Sequence, residues 1–246
     1  MLAVLLVMAP VAHAMDSFVG VARDVEGALL YREQHWRFED GAAAKHVVLY
    51  SCPDGAAFAR KVLDAVADPA APDFAFVDGR DGYEEGVRRD ARGRVVYWRA
   101  AAGEPLRTAR LPDARPLVID AGFDEWVRDE WPTLLTEGAI EARFVVPSHL
   151  EAIPVRIRMA AADGSTVRLI LRVDRWFGAF VGETAIDYDA VDRELRAFEG
   201  VGNVRSLAGA RRRVRIDFPP ELRGSASDRQ AIAAALAAPL TGRCGC

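Results

Sequence analysis

Residues 120–137 read DAGFDEWVRDEWPTLLTE, the one long segment whose apolar residues recur at helical spacing rather than in alternation. Phe123, Trp126, Val127, Trp131, Leu134 and Leu135 fall at i, i+3, i+4, i+8, i+11 and i+12, a single stripe on a helix. Asp120 is placed to cap it, Asp124 and Glu125 put negative charge at the positive end of the helix dipole, and Gly138 is placed to end it. Pro132 lacks a backbone donor, so a kink is expected there.

On both sides of this helix the sequence reads as short strands. Phe18 to Phe38 suits two strands broken near Glu26-Gly27, and Lys45 to Tyr50 is a compact apolar strand stopped by Ser51-Cys52-Pro53-Asp54-Gly55. Residues 56–67 fit a short helix or a strand; the spacing of Phe58, Val62, Leu63 and Val66 favours the helix. Phe74–Val77 and Arg94–Arg99 read as strands, Glu84–Arg89 as a polar stretch, and Gly103–Pro116 as a loop with three prolines. After the helix the alternation is cleanest. Val155, Ile157 and Met159 face one way and Arg156 and Arg158 the other, Asp163-Gly164 turns, and Val167, Leu169, Leu171 and Val173 return on one face. Thr184–Tyr188, Leu195–Phe198 and Val214–Phe218 continue a meander, and Ser227-Asp228-Arg229-Gln230 opens a short helix that Pro239 ends. The expected fold is mainly β (α+β): a curved antiparallel sheet or half-barrel wrapped around one central amphipathic helix, with a short C-terminal helix.

An apolar run from Leu2 to Ala12 followed by Ala12-His13-Ala14 predicts a secretory signal peptide over residues 1–14. The expected organisation is then one β-rich domain over 15–220, with its central helix at 120–137, and a helical tail over 221–246. No later segment is apolar for long enough to cross a membrane as a helix. The net charge of −4 lacks the basic footprint of a nucleic-acid binder. In an oxidising compartment Cys52 has two candidate partners, Cys244 and Cys246, although a frayed Cys-Gly-Cys tail is the ordinary expectation for a terminus.

No known catalytic pattern is present. There is no G-x-S-x-G elbow, and Ser148 and His149 are neighbours that point apart on an extended chain. His35 and His46 are positioned to face each other across adjacent strands but lack an evident third metal ligand. Asp73, Asp78, Asp81, Glu84 and Glu85 surround two glycines without EF-hand spacing, which favours an ordinary tight turn. Arg156, Arg158, Arg168, Arg172, Arg175, Arg211–Arg213 and Arg215 make a guanidinium-rich outer face that neighbouring acidic residues nearly balance, so cross-strand ion pairs are expected. No catalytic residue, metal or cofactor is predicted.

Gly27–Glu33, Val118–Asp124, Ile186–Asp189 and Phe198–Asn203, together with the export signal, resemble uncharacterised secreted proteins of proteobacteria, a domain of unknown function. In architecture alone, a helix cradled by a curved sheet is also similar to the half-barrels of bacterial lipoprotein-localisation factors. That resemblance implies an acyl chain held between sheet and helix. The expectation is a periplasmic or secreted, non-enzymatic binding protein. Phe123, Trp126, Val127, Trp131, Trp176 and Phe177 would meet an apolar ligand, and Arg156 and Arg158 an anionic head group. The same aromatics equally suit a solid core in a protein that binds an envelope partner. An enzyme centred on the acidic cluster or on His35 and His46 is the remaining alternative.

Overall fold

A computed structural model of the chain describes residues 16–41, 43–65, 68–113, 115–173, 182–225 and 228–244. Alternation of apolar and polar side chains, with turns at Asp-Gly and other glycine-bearing points, dictates two successive meanders. The first comprises β1 (Asp16–Arg23), β2 (Leu29–Asp40), β3 (Ala43–Ser51), β4 (Ala57–Ala65), β5 (Asp73–Asp78), β6 (Tyr83–Asp90), β7 (Gly93–Arg99) and β8 (Arg107–Arg110), each paired with the next. β9 (Leu117–Val118) then leads into α1 (Gly122–Asp129) and α2 (Trp131–Glu137). The second meander is β10 (Ala139–Val146), β11 (Glu151–Ala162), β12 (Thr166–Val173), β13 (Thr184–Asp189), β14 (Leu195–Arg205) and β15 (Arg211–Asp217). β15 pairs back onto β1, and so does the two-residue β16 (Gly224–Ser225), before α3 (Arg229–Ala237).

The described strands thus form one sixteen-stranded sheet with β8 and β9 at its edges. Among the described strands all neighbours run antiparallel except β9 and β10. The sheet curls: the 3-10 turn Pro147–His149 packs against β6 and β7, and Val145 and Ala152 share a core with Val96 and Leu111. A second core lies under the helices, where Trp126, Val127, Trp131 and Leu134 meet Ile140, Ile157, Leu169 and Tyr188. This is the expected mainly-β curved sheet wrapped on helical structure, closed by a short C-terminal helix.

Several local expectations are corrected. Residues 57–65 form β4, because Ala59, Lys61 and Leu63 alternate inward between two paired neighbours; sheet pairing on both sides outweighs the helical spacing. The 120–137 helix is two helices broken at Glu130, so Pro132 sits in the first turn of α2, where a missing N–H costs nothing. The break rephases the second helix, and Leu135 is exposed rather than part of the stripe. Gly138 ends α2 at φ 75° as expected. Asp120 does not cap α1; Ala121 holds that position, because the Asp120 carboxylate is engaged elsewhere. Glu84–Arg89 belongs to β6, and the 103–116 loop contains β8.

The tail is fastened rather than frayed. Asp228 caps α3 by accepting from the N–H groups of Gln230 and Ala231, with Ser227 outside the described residues. Arg60 donates to the carbonyls of Ala235 and Ala238 at 3.3 and 3.2 Å, and Gly242 N–H donates to Ala57 O at 2.7 Å. Cys244 forms a disulfide with Cys52 across 192 positions, a closure worth about 5 kcal/mol in the chain-entropy view. Cys246 lies outside the described residues.

Candidate functional site

Sheet register gathers titratable side chains on the inner face. His35 lies opposite Val48, Val48 opposite Lys61, Lys61 opposite Phe76 and Phe76 opposite Glu85, so one row across five strands carries three buried polar groups. Glu33, two residues along β2 from His35, shares that face because strand side chains alternate. Its Oε2 lies 3.1 Å from His35 Nε2, and His35 Nδ1 lies 2.9 Å from His46 Nε2, so the facing histidines expected from sequence do meet. The His35 ring stacks on Phe18 with centroids 4.3 Å apart.

Burial governs the charge state of this chain. It pushes the Glu33 carboxyl up to about 7, with Lys61 pulling the other way and Asp120 adding to the rise. Burial also holds both imidazoles well below their usual value, helped by Arg37, Lys61 and Arg223 at His35, and by His35 and Arg37 at His46. A protonated Glu33 and two neutral rings satisfy the links in order: Glu33 donates to His35 Nε2, and His35 Nδ1–H donates to His46. Beside them Lys61 Nζ donates to both carboxylate oxygens of Asp120, at 2.8 and 2.9 Å. Asp120 also accepts from Ala121 N–H and sits at φ 47°, a left-handed conformation that Asp tolerates better than most residues. The arrangement is able to pass a proton along Glu33, His35 and His46.

The acidic cluster resolves into separate ion pairs. Asp78 binds Arg80 at 2.6 Å with both side chains buried, and Arg80 lies over the Phe58 ring. Asp81 pairs with Arg205, Glu84 with Arg99 at 3.0 Å and Glu85 with Arg211 at 3.3 Å, while Asp73 accepts from Arg89 N–H. Among the described residues no group of three metal-ligating side chains is assembled. The outer arginines likewise meet carboxylates: Arg168 pairs with Asp187, Arg172 with Glu183, and Arg213 and Arg215 with Glu199.

The residues expected to hold a ligand are placed in three ways. Val127 and Trp131 are wholly taken up in packing, and Trp131 stands edge-on to Tyr188 at 5.8 Å. Phe123 is half-buried against Trp126 and Phe144. Arg156 and Arg158 are exposed on β11, and Trp176 and Phe177 lie outside the described residues. Trp126 and Arg156 do come together. They line an open groove of about 400 Å³ between the helices and β10, with Glu130, Thr133, Glu137, Ala139, Ile140 and Glu141. The groove is more acidic than basic, contrary to the rim expected for an anionic head group. Arg156 meets Glu141 at 3.7 Å, and no cation among the described residues pairs with Glu130 or Glu137. The Trp126 side chain is 4 % exposed, and its indole N–H has no acceptor among the described residues. Glu130, Thr133 and Glu137 were missed by sequence reasoning; their i, i+3, i+7 spacing, a polar stripe beside the apolar one, was the available signal.

The molecule is thus a curled antiparallel sheet with a filled interior and an acidic groove at the helix–sheet junction. No family model matches the chain, and no curated protein matches it. Among solved structures it is similar to a β-barrel-like protein of the domain of unknown function DUF1849 from Brucella abortus, at 7 % identity and a TM-score of 0.48, over 84 % of this chain and 96 % of that one. A DUF1329 family protein from Desulfovibrio piger is similar at 9 % identity and a TM-score of 0.26, over 88 % of each chain. No helix among the described residues is long and apolar enough to cross a membrane.

Proposed function

We propose that the protein is an exported, non-enzymatic binding protein of the bacterial envelope that takes its ligand at the groove beside Trp126. The observation that carries this reading is the buried indole N–H of Trp126, which lacks an acceptor among the described residues while its side chain lines an open groove. The rest of the apolar stripe supports it by exclusion, since Val127, Trp131 and Leu134 already fill the space between helix and sheet. The interior carboxylates and imidazoles are engaged with one another, which favours a scaffold over a reaction centre. Export is supported by the N-terminal apolar run and by the Cys52–Cys244 disulfide, a bond suited to an oxidising compartment.

Native mass spectrometry of protein purified from the periplasm without detergent tests the reading, with Trp126→Phe as the comparison. A mass excess released by denaturation and lost in Trp126→Phe is the expected result. A fatty acid or phospholipid retained equally by both proteins would place the ligand between sheet and helix instead. A bare mass, with the Trp126 indole resonance unmoved by periplasmic extract, would sink the groove reading.

A further inference from the structure

We infer that the open edge of β10, together with the groove beside it, takes an extended basic peptide of a partner protein as an added strand. The inference rests on the groove reading above and names the class of its ligand.

Three observations converge on one short stretch. The first is an unpaired backbone edge. β9 meets β10 only at Arg143 and Phe144, so residues 139–142 extend beyond it without a strand on that side among the described residues. Hydrogen-bond phase shows which groups face the gap. Met159 N–H donates to Gly138 O across the β11 side, whereas Arg143 N–H donates to Pro116 O on the opposite side. In an antiparallel ladder these directions alternate, so Ile140 and Ala142 bond β11 while Ala139 and Glu141 turn N–H and C=O toward the open edge. Such an edge is a template for an incoming strand.

The second is charge. Glu130, Glu137 and Glu141 line the groove with Arg156, and Glu130 also lines the adjoining pocket with Asp68, Asp113, Arg94 and Arg115. Neither Glu130 nor Glu137 has a cationic partner within ion-pair distance among the described residues. A strand bearing Lys or Arg at alternate positions would set those side chains on one face, toward Glu141 on the outer face or, shifted by one residue, toward Glu130 and Glu137 on the helix face. The third is the Trp126 indole N–H, a buried donor for which a peptide carbonyl is a fitting acceptor. Ile140 gives the groove an apolar wall on the helix face for the intervening residues. A free fatty acid would satisfy that wall but oppose the glutamates and leave the Ala139 and Glu141 backbone unpaired.

The test titrates the ¹⁵N-labelled full chain with the heptapeptide Lys-Val-Lys-Val-Lys-Val-Lys and, separately, with Glu-Val-Glu-Val-Glu-Val-Glu. The basic peptide is expected to shift the Trp126 indole and the amides of Ala139 and Glu141, with an affinity that falls as salt rises, and the acidic peptide to leave them unmoved. Glu137→Gln combined with Glu141→Gln is expected to weaken binding on the order of tenfold. Glu141→Pro should weaken it further than Glu141→Gln, because the N–H it removes faces the gap and not β11; circular dichroism confirms that both variants remain folded. Equal binding of the two peptides, no shift at millimolar basic peptide, or equal binding by Glu141→Pro and Glu141→Gln would each overturn the inference. If the basic peptide fails while a copurified molecule still shifts Trp126, the groove reading stands without the peptide; if neither acts there, both fall.

Discussion

Replacing Glu33 by Gln should change how stability depends on pH more than it changes stability itself. Glu33 is buried, its carboxyl lies 3.1 Å from His35, and its pKa rises from an ordinary 4.5 to about 7. The folded state therefore binds more protons than the unfolded chain between those values. The contribution of the carboxyl is fully present below 4.5 and is lost as pH rises through 7. Over the range pH 5 to pH 8 the loss amounts to about 2.5 kcal/mol. Gln keeps the volume and a donor to His35 but does not titrate. His35 and His46, held well below their usual value, act in the opposite sense, favouring the folded state as pH rises through the unfolded imidazole range. That behaviour is common to both proteins and cancels in their difference. Urea unfolding at pH 5, 6, 7 and 8 should show the stability of Glu33→Gln gaining on the wild type by about 2.5 kcal/mol across the series. A gap constant to within about 1 kcal/mol would mean that Glu33 ionises like an exposed carboxyl and that the proton-sharing chain is misassigned.

Other perturbations probe separate parts of the fold. Lys61→Met leaves the Asp120 carboxylate buried without its cation and should cost about 3–5 kcal/mol in urea unfolding, most of it recovered on adding Asp120→Asn. Trp131→Ala should cost about 3–5 kcal/mol by opening a cavity against Tyr188, and Trp131→Phe distinctly less; equal losses would argue against close packing there. Gly122→Ala sets a methyl group 2.3 Å from Ala70 O and should lower thermal stability by about 1–3 kcal/mol, read by calorimetry. Reduction of Cys52–Cys244 should remove up to about 5 kcal/mol, and a transition midpoint unmoved by dithiothreitol would show that the tail holds without it.

Alternation made much of the sheet legible. Val155, Ile157 and Met159 against Arg156 and Arg158 predicted β11 and its hairpin partner, and both form as read. Segments whose pattern conflicts with their environment were harder. β4 looked helical because Lys61, a charged residue, occupies an inward position where only its pairing with Asp120 makes it acceptable. β6 looked like a polar stretch for the same reason: Glu85 faces inward and is matched by Tyr83 on the same strand and by Arg211 from far along the chain. The groove was half legible, in Trp126 and Arg156. Its acidic character depends on Glu130, Glu137 and Glu141 converging from a helix break and a strand edge, which spacing alone does not report.

The pairing of β15 with β1 has a consequence for the order of events in folding. Val21 meets Asp217 and Ala22 meets Ile216 near the middle of the sheet, between the two meanders. Within each meander every strand has its partner close by in sequence and is free to zip up as it appears. The seam between them joins stretches nearly the whole length of the chain apart, and its loop-closure entropy is met only once both halves exist. Until then Phe18 and Ala22 stand against an empty flank, and that nascent edge is where a chaperone, or a second unfinished copy, would find the chain most adhesive.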